Sequence, residues 1–116
     1  MAEASSEQRQ GRRVRAIAGR EVPFDEEGFF ESFEDWSEGV FEELARESGL
    51  AFVTDRHWQV VRFLREFFAY NGRAPLNNQL RKGTGMSLLE LDDLFPEGIK
   101  MGARRLAGLP NPKTCS

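Results

Sequence analysis

The chain is 116 residues long, 40% hydrophobic and 30% charged, with a net charge of −3. That length suits one small domain, and the acidic balance argues against a general nucleic-acid binder, which is usually basic. A single cysteine excludes an intrachain disulfide and a multi-cysteine metal cluster, no apolar run approaches the ~20 residues of a membrane span, and the first residues lack the apolar core of a signal peptide.

A reducing, cytoplasmic setting is therefore expected, with no metal and no cofactor. Ten Phe and two Trp supply enough apolar bulk for a core. Charge is unevenly spread. Residues 21 to 49 hold eleven acidic side chains and one basic one, Arg46, whereas residues 98 to 116 hold Lys100, Arg104, Arg105 and Lys113 and no acid. The C-terminal stretch is locally cationic on an acidic body.

Residues 1–13 are small and polar and read as a disordered extension. Arg12, Arg13 and Arg15 could meet a phosphate, but a solvated basic end is the simpler account. Val14 to Phe24 holds two short β-prone pieces around a turn at Gly19, with Pro23 near the edge or end of the hairpin. Two strands alone are marginal, so the hairpin must lean on helices. Asp25-Glu-Glu-Gly28 is a turn, and Phe29, Phe30, Phe33 and Trp36 form an aromatic cluster most simply read as core. Ser37 caps a helix over Glu38–Glu47, with Val40, Phe41 and Leu44 on one face and Gly49 closing it.

Thr54 caps the longest helix, which runs to about Tyr70 and carries Val60, Val61, Leu64, Phe67 and Phe68 on a wide apolar face. Asn71-Gly72 ends it. Arg62 and Arg65 project from it towards another surface. His57, the only histidine, could act as a base or pH-sensitive group, but beside Trp58 in a first turn it reads as structural. It has no second metal ligand at useful spacing.

Pro75 to Lys82 is a short helix, Gly83-Thr-Gly85 a turn, and Ser87 caps Leu88–Leu94 with Glu90 completing a capping box. Leu88, Leu91 and Leu94 are spaced as core contacts. Helix, glycine turn, helix invites comparison with DNA-binding motifs, yet Glu90, Asp92 and Asp93 would face the phosphates. A last helix over Ile99–Ala107 would turn Ile99, Ala103 and Leu106 inward and Lys100, Arg104 and Arg105 outward. This gives one domain over 14–107.

Gly108, Pro110 and Pro112 then prevent the helix from continuing, so residues 108–116 read as a flexible arm. Its cysteine, Cys115, lies outside any periodic apolar segment. An exposed thiol on such an arm can be carried into another protein's active site; the plain alternative is a surface cysteine on a frayed tail. The thiolate is the working nucleophile. Lys113, and Arg104 or Arg105 if the arm folds back, would lower its pKa. With one cysteine, any exchange passes through a partner's thiol, a small thiol or a bound sulfane sulfur. Nothing else in the chain resembles a catalytic constellation.

Four stretches together are characteristic: Asp35-Trp-Ser37; His57-Trp-Gln-Val-Val-Arg-Phe63 with Arg65; Leu94-Phe-Pro-Glu-Gly98; and Ala107-Gly-Leu-Pro-Asn-Pro-Lys-Thr-Cys115. In that order, over roughly Ile17 to Ser116, the chain resembles the DsrC/TusE family of sulfur-relay proteins. The resemblance implies a mainly α fold: a small helical bundle with an N-terminal β-hairpin, a helix-turn-helix-like section and a mobile C-terminal arm. It also implies that Cys115 is the sulfur-accepting position, with Lys100, Arg104 and Lys113 as basic support for the arm.

In the dissimilatory sulfite reductase branch a second cysteine stands eleven residues earlier; that position here is Arg104. The chain is thus more similar to the single-cysteine, TusE-like branch. Ser116 in place of the usual aliphatic end and the N-terminal extension are smaller departures. The expected function is a sulfur carrier that takes a persulfide on Cys115 from a TusBCD/DsrEFH-type relay complex. It would pass the sulfur to a tRNA 2-thiouridine synthase or another acceptor protein. The alternative is a sulfur-responsive regulator that binds DNA or a protein through its helix-turn-helix-like section. The acidic faces disfavour direct DNA binding, while the cationic arm root leaves it open.

Overall fold

The computed structural model describes residues 13–111. The fold is mainly helical, with an N-terminal two-stranded hairpin, as expected. Strands β1 (Arg13–Ile17) and β2 (Arg20–Phe24) pair antiparallel with Ile17 opposite Arg20 and Arg13 opposite Phe24. The two turn residues between them, Ala18 and Gly19, both have positive φ, 51° and 81°. That is the twist a two-residue hairpin loop needs. Pro23 sits on the two-stranded sheet, where a missing N–H costs little.

The hairpin leans on the helices, as its size requires. Ile17, Val22 and Phe24 are buried in the same cluster as Val40, Phe41 and Leu44 of α1 (Glu38–Glu47) and Val60, Val61 and Leu64 of α2 (Asp55–Asn71). Phe24 also bridges to Phe30, with the rings edge to face at 5.0 Å. The aromatic cluster divides. Phe29 and Phe30 are fully buried, whereas Phe33 and Trp36 are only partly buried and pack at the margin of the core.

Helix ends follow the local chemistry. The Ser37 hydroxyl accepts from Val40 N–H at 3.2 Å, and Gly49 follows the end of α1 with φ 101°. At the start of α2, the His57 ring accepts at Nδ1 from Thr54 N–H (3.0 Å), while Nε2–H donates to Leu94 O (2.7 Å). The histidine is buried and uses both nitrogens, which fits the structural reading of it. Gly72 ends α2 in the left-handed conformation.

The next helix, α3, spans Asn77–Thr84 rather than starting at Pro75, and Gly85 closes it. Gly83 lies under the Phe63 ring: a Cβ there would fall 2.2 Å from it, so this glycine lets α2 and α3 approach. Helix α4 spans Leu88–Leu94 with the expected Ser87–Glu90 capping box. Of its leucines only Leu91 is fully buried. Leu94 is partly buried, and Leu88 is exposed, so the expectation that Leu88 is a core contact is corrected. A seven-residue helix offers the core less than two turns, and Leu88 at its first position faces out.

The final helix also differs. Ile99–Arg104 (α5) is π-helical and runs on into ordinary helix at residues 105–106. The wider turn changes which side chains meet the body. Ala103 and Leu106 are buried as expected, and Ile99 is partly buried. Arg104 and Arg105, expected to point outward, are instead partly buried: Arg104 reaches acceptors at Pro75 and Asn77, and Arg105 folds back along its own segment. Arg105 donates to Met101 O (2.6 Å) and Glu97 (3.1 Å).

Candidate functional site at the chain's exit from the core

The backbone leaves the core over Leu106–Asn111, and side chains from three distant parts of the sequence hold it. Trp36 Nε1 donates to Leu106 O at 2.9 Å. Arg65 Nη1 donates to Ala107 O at 2.9 Å, and Nη2 to Phe33 O at 3.1 Å. The Arg65 guanidinium lies 3.8 Å from the Phe33 ring centroid and 4.3 Å from that of Trp36. Its expected projection from α2 is real, but the surface it meets is this chain's own exit segment. Burial pulls its pKa down to about 10, against a smaller opposing pull from Glu34. It therefore stays charged at neutral pH, and the two aromatic faces offset part of the lost hydration.

Gly108 completes the clamp. Its φ is 85°, a region that L side chains adopt only with strain. A Cβ there would lie 2.6 Å from Trp36 Cδ1 and 2.8 Å from Arg65 Nη1. Only glycine lets the indole and guanidinium close over the backbone. Leu109 is buried just after it. The last described residue, Asn111, donates from Nδ2 to Asp25 Oδ2 at 3.0 Å. The other oxygen of Asp25 accepts from the Glu27 and Phe29 amides, both at 2.9 Å. The expected turn at Asp25 is thus also an anchor for the exit segment.

Beside this exit lies a cleft of about 700 Å3. Its walls include Phe68, Ala74, Pro75, Leu76 and Pro110, with Arg104, Asn77 and Asn111 among the polar groups. Arg104 Nη2 donates to Pro75 O (2.8 Å) and Asn77 Oδ1 (3.1 Å), while the buried Nε has no partner among the described residues. Burial lowers its pKa.

Cys115 and Lys113 lie outside the described residues. Of the remaining basic candidates, Lys100 is exposed and Arg104 enters the cleft wall. Sequence reasoning did not find the Trp36–Arg65–Gly108 clamp or the Asp25–Asn111 contact. These pairs are separated by 70, 42 and 86 positions, and no local spacing signals them. In the helix-turn-helix-like section, Glu90, Asp92 and Asp93 are all exposed. Ser87 N–H and then Arg56 hold the Glu90 carboxyl below the usual range. That face stays anionic and repels a phosphate backbone.

The sequence model of the family described as "DsrC like protein" matches residues 16–116. The chain is 36% identical over 97 residues to the dissimilatory-type sulfite reductase subunit gamma of Nitratidesulfovibrio vulgaris, covering 84% of this chain and 92% of that protein. It is 35% identical over 104 residues to the sulfurtransferase TusE of Sodalis glossinidius, covering 84% and 95%. The crystal structure of dissimilatory sulfite reductase I (DsrI) superposes with a TM-score of 0.84 at 35% identity, over 90% of this chain and all of that one.

Proposed function

Because the chain belongs to the DsrC-like protein family, we propose that it is a sulfur carrier of the TusE-like, single-cysteine kind, with Cys115 as the carrying residue. The observation that supports this most is the clamp of Trp36, Arg65 and Gly108 on Leu106–Gly108. It fixes the backbone up to Gly108, from which the cysteine-bearing segment continues.

In this reading the Cys115 thiolate attacks the terminal sulfur of a donor persulfide. A new S–S bond forms to Cys115, the donor's S–S bond breaks, and the donor leaves as a thiolate. An acceptor thiolate then attacks the terminal sulfur on Cys115 in the same way. The Cys115 thiolate is regenerated, and there is no net oxidation. Lys113 is the nearest cation in sequence and favours the thiolate. Lys100 and Arg104 add positive charge at the root.

Arg104 stands where two-cysteine relatives have their second cysteine, so an intramolecular disulfide product is not part of this reading. The proposed donor is a TusBCD/DsrEFH-type complex. The proposed acceptor is a tRNA 2-thiouridine synthase or another sulfur-accepting protein, in a reducing cytoplasm. No helix among the described residues is long and apolar enough to cross a membrane.

Intact-protein mass spectrometry tests the reading. After incubation with a cysteine desulfurase, its substrate and a relay complex from the same cell, a reducible gain of ~32 Da per sulfur is expected. The gain should vanish in Cys115→Ser. No gain with competent donors overturns the carrier role.

A further inference from the structure

The chain carries more acid than base, yet the second half of α2 and the whole of α3 reverse that balance. From residue 62 to residue 82 the bases are Arg62, Arg65, Arg73, Arg81 and Lys82, and the one acid is Glu66. Arg65 is committed to the exit clamp. The other four are exposed. None of them has an ion-pair partner among the described residues, whereas Arg15, Arg46, Arg56 and Arg105 each meet an acid.

Aromatic rings lie among these charges. Helix α2 buries Val60, Val61 and Leu64, while Phe63, Phe67 and Tyr70 follow one another at i, i+4 and i+7, a single stripe of the helix. Phe63 and Phe67 are half-buried, with ring centroids 5.9 Å apart, and Tyr70 is 91% exposed. Gly83 of α3 lies under the Phe63 ring, and the Arg73 guanidinium stands 5.4 Å from the Phe67 centroid. The two helices and the loop between them therefore make one face. Aromatic side chains with arginine are the composition of a protein interface core, and anchors at i, i+4 and i+7 are how a helix enters a partner's groove.

Charge and ring geometry define the partner. Exposed cations without acids of their own call for carboxylates or phosphates. Single-stranded nucleic acid would bind such a face by stacking bases on open rings. Here Arg73 covers Phe67, and Phe63 lies against Gly83 with its ring tilted 48° to that of Phe67. The stripe offers no run of parallel open rings, so an apolar protein groove with an acidic rim fits it better. The face also borders the exit: Arg73 and the exposed Leu76 line the same cleft as Pro110 and Asn111. A protein seated on it stands beside the chain's way out of the core.

We propose that the α2–α3 face is the docking surface for a sulfur-relay partner protein that presents an apolar groove rimmed with carboxylates. Tyr70 is its exposed anchor, and Arg73, Arg81 and Lys82 guide the approach. The proposal rests on the sulfur-carrier reading and adds to it the surface by which a partner is recognised, separate from the cysteine.

The test measures sulfur transfer with the full chain and two purified partners from the same cell, a TusBCD/DsrEFH-type donor complex and a tRNA 2-thiouridine synthase. Tyr70→Ala and the charge reversal Arg73→Glu/Lys82→Glu should each lower the second-order transfer rate with at least one partner about tenfold, the effect of losing one interface anchor. Transfer by the wild type should slow as salt rises, and transfer by the charge-reversed variant should not. Loading of Cys115 from inorganic polysulfide needs no docking and should be unchanged in both variants; the thiolate attacks a sulfane sulfur and the donor leaves one sulfur shorter. Leu89→Ala, at a position 73% exposed on α4, should transfer like the wild type, and thermal unfolding checks the fold of every variant. Unchanged transfer by both α2–α3 variants with both partners, or an equal loss in Leu89→Ala, overturns the docking face and leaves the carrier role standing. Tyr70-dependent binding of a fluorescent single-stranded oligoribonucleotide, with transfer rates unchanged, overturns it in favour of nucleic acid. Failure of the wild type to load from any donor overturns both.

Discussion

Two arginines on either side of the chain's exit are solved in opposite ways. Arg65 donates to two backbone carbonyls, lies over two aromatic rings and has the backbone at Gly108 packed against it. Arg104 uses one nitrogen on neutral oxygens and faces a cleft. Both are partly buried, and burial lowers both pKa values. The difference lies in completion. Arg65 is met by two carbonyls and two ring faces and fits a structural clamp, while Arg104 meets only two neutral oxygens among the described residues. A buried cation is therefore read by its partners rather than by its burial alone.

The comparison is broken most severely at Gly108. Gly108→Ala adds a Cβ between Trp36 and Arg65 at a backbone angle that disfavours it. Overpacking and the left-handed backbone together should cost about 4 kcal/mol, read by chemical denaturation. A loss below about 1 kcal/mol would show that the exit segment is held loosely. Arg65→Met should come next, at about 3 kcal/mol, because the Ala107 and Phe33 carbonyls lose their donor and the aromatic faces lose their cation.

Arg104→Met sharpens the contrast. It removes a half-buried charge with no counter-ion among the described residues and should change stability by less than about 1 kcal/mol in either direction. If its cost equals that of Arg65→Met, the two arginines are equivalent and the distinction fails.

The smallest effect belongs to an ordinary surface pair. Arg15 Nη1 donates to Glu47 Oε1 at 3.0 Å, and this hydrogen bond is the main cause holding the Glu47 carboxyl below its usual range. Its folded pKa lies below its unfolded one, so the contribution is present above the ordinary carboxylate range. It fades as pH falls through the depressed folded value. At neutral pH, Glu47→Gln should cost about 0.5 kcal/mol, and the difference from wild type should shrink in acid. A difference that grows in acid would contradict the sign.

Much of the fold was legible locally. The caps at Ser37, Thr54 and Ser87, the hairpin turn at Gly19 and the apolar faces of α1 and α2 depend on residues within a few positions of one another. The ends of α3 and the character of α5 were less legible. Pro75 looked like a helix start but lies outside α3, where its carbonyl serves Arg104. The π-turn over Ile99–Arg104 has no signature in the apolar period, and at its end Arg104 turns towards acceptors at Pro75 and Asn77.

The candidate site divides along the same line. By itself the sequence determined the placement of Cys115 beyond two prolines and a glycine, the cationic C-terminal stretch and the family resemblance, because these are matters of residue identity and order. Only the tertiary structure decided what Arg65, Trp36, Asp25 and Arg104 do at the exit. Their partners across the exit lie 27 to 86 positions away. Hydrogen bonds and ring contacts act over a few ångströms, so such partners meet only once the hydrophobic core has brought the Asp25–Gly28 turn, the Phe33–Trp36 segment, α2 and α5 together.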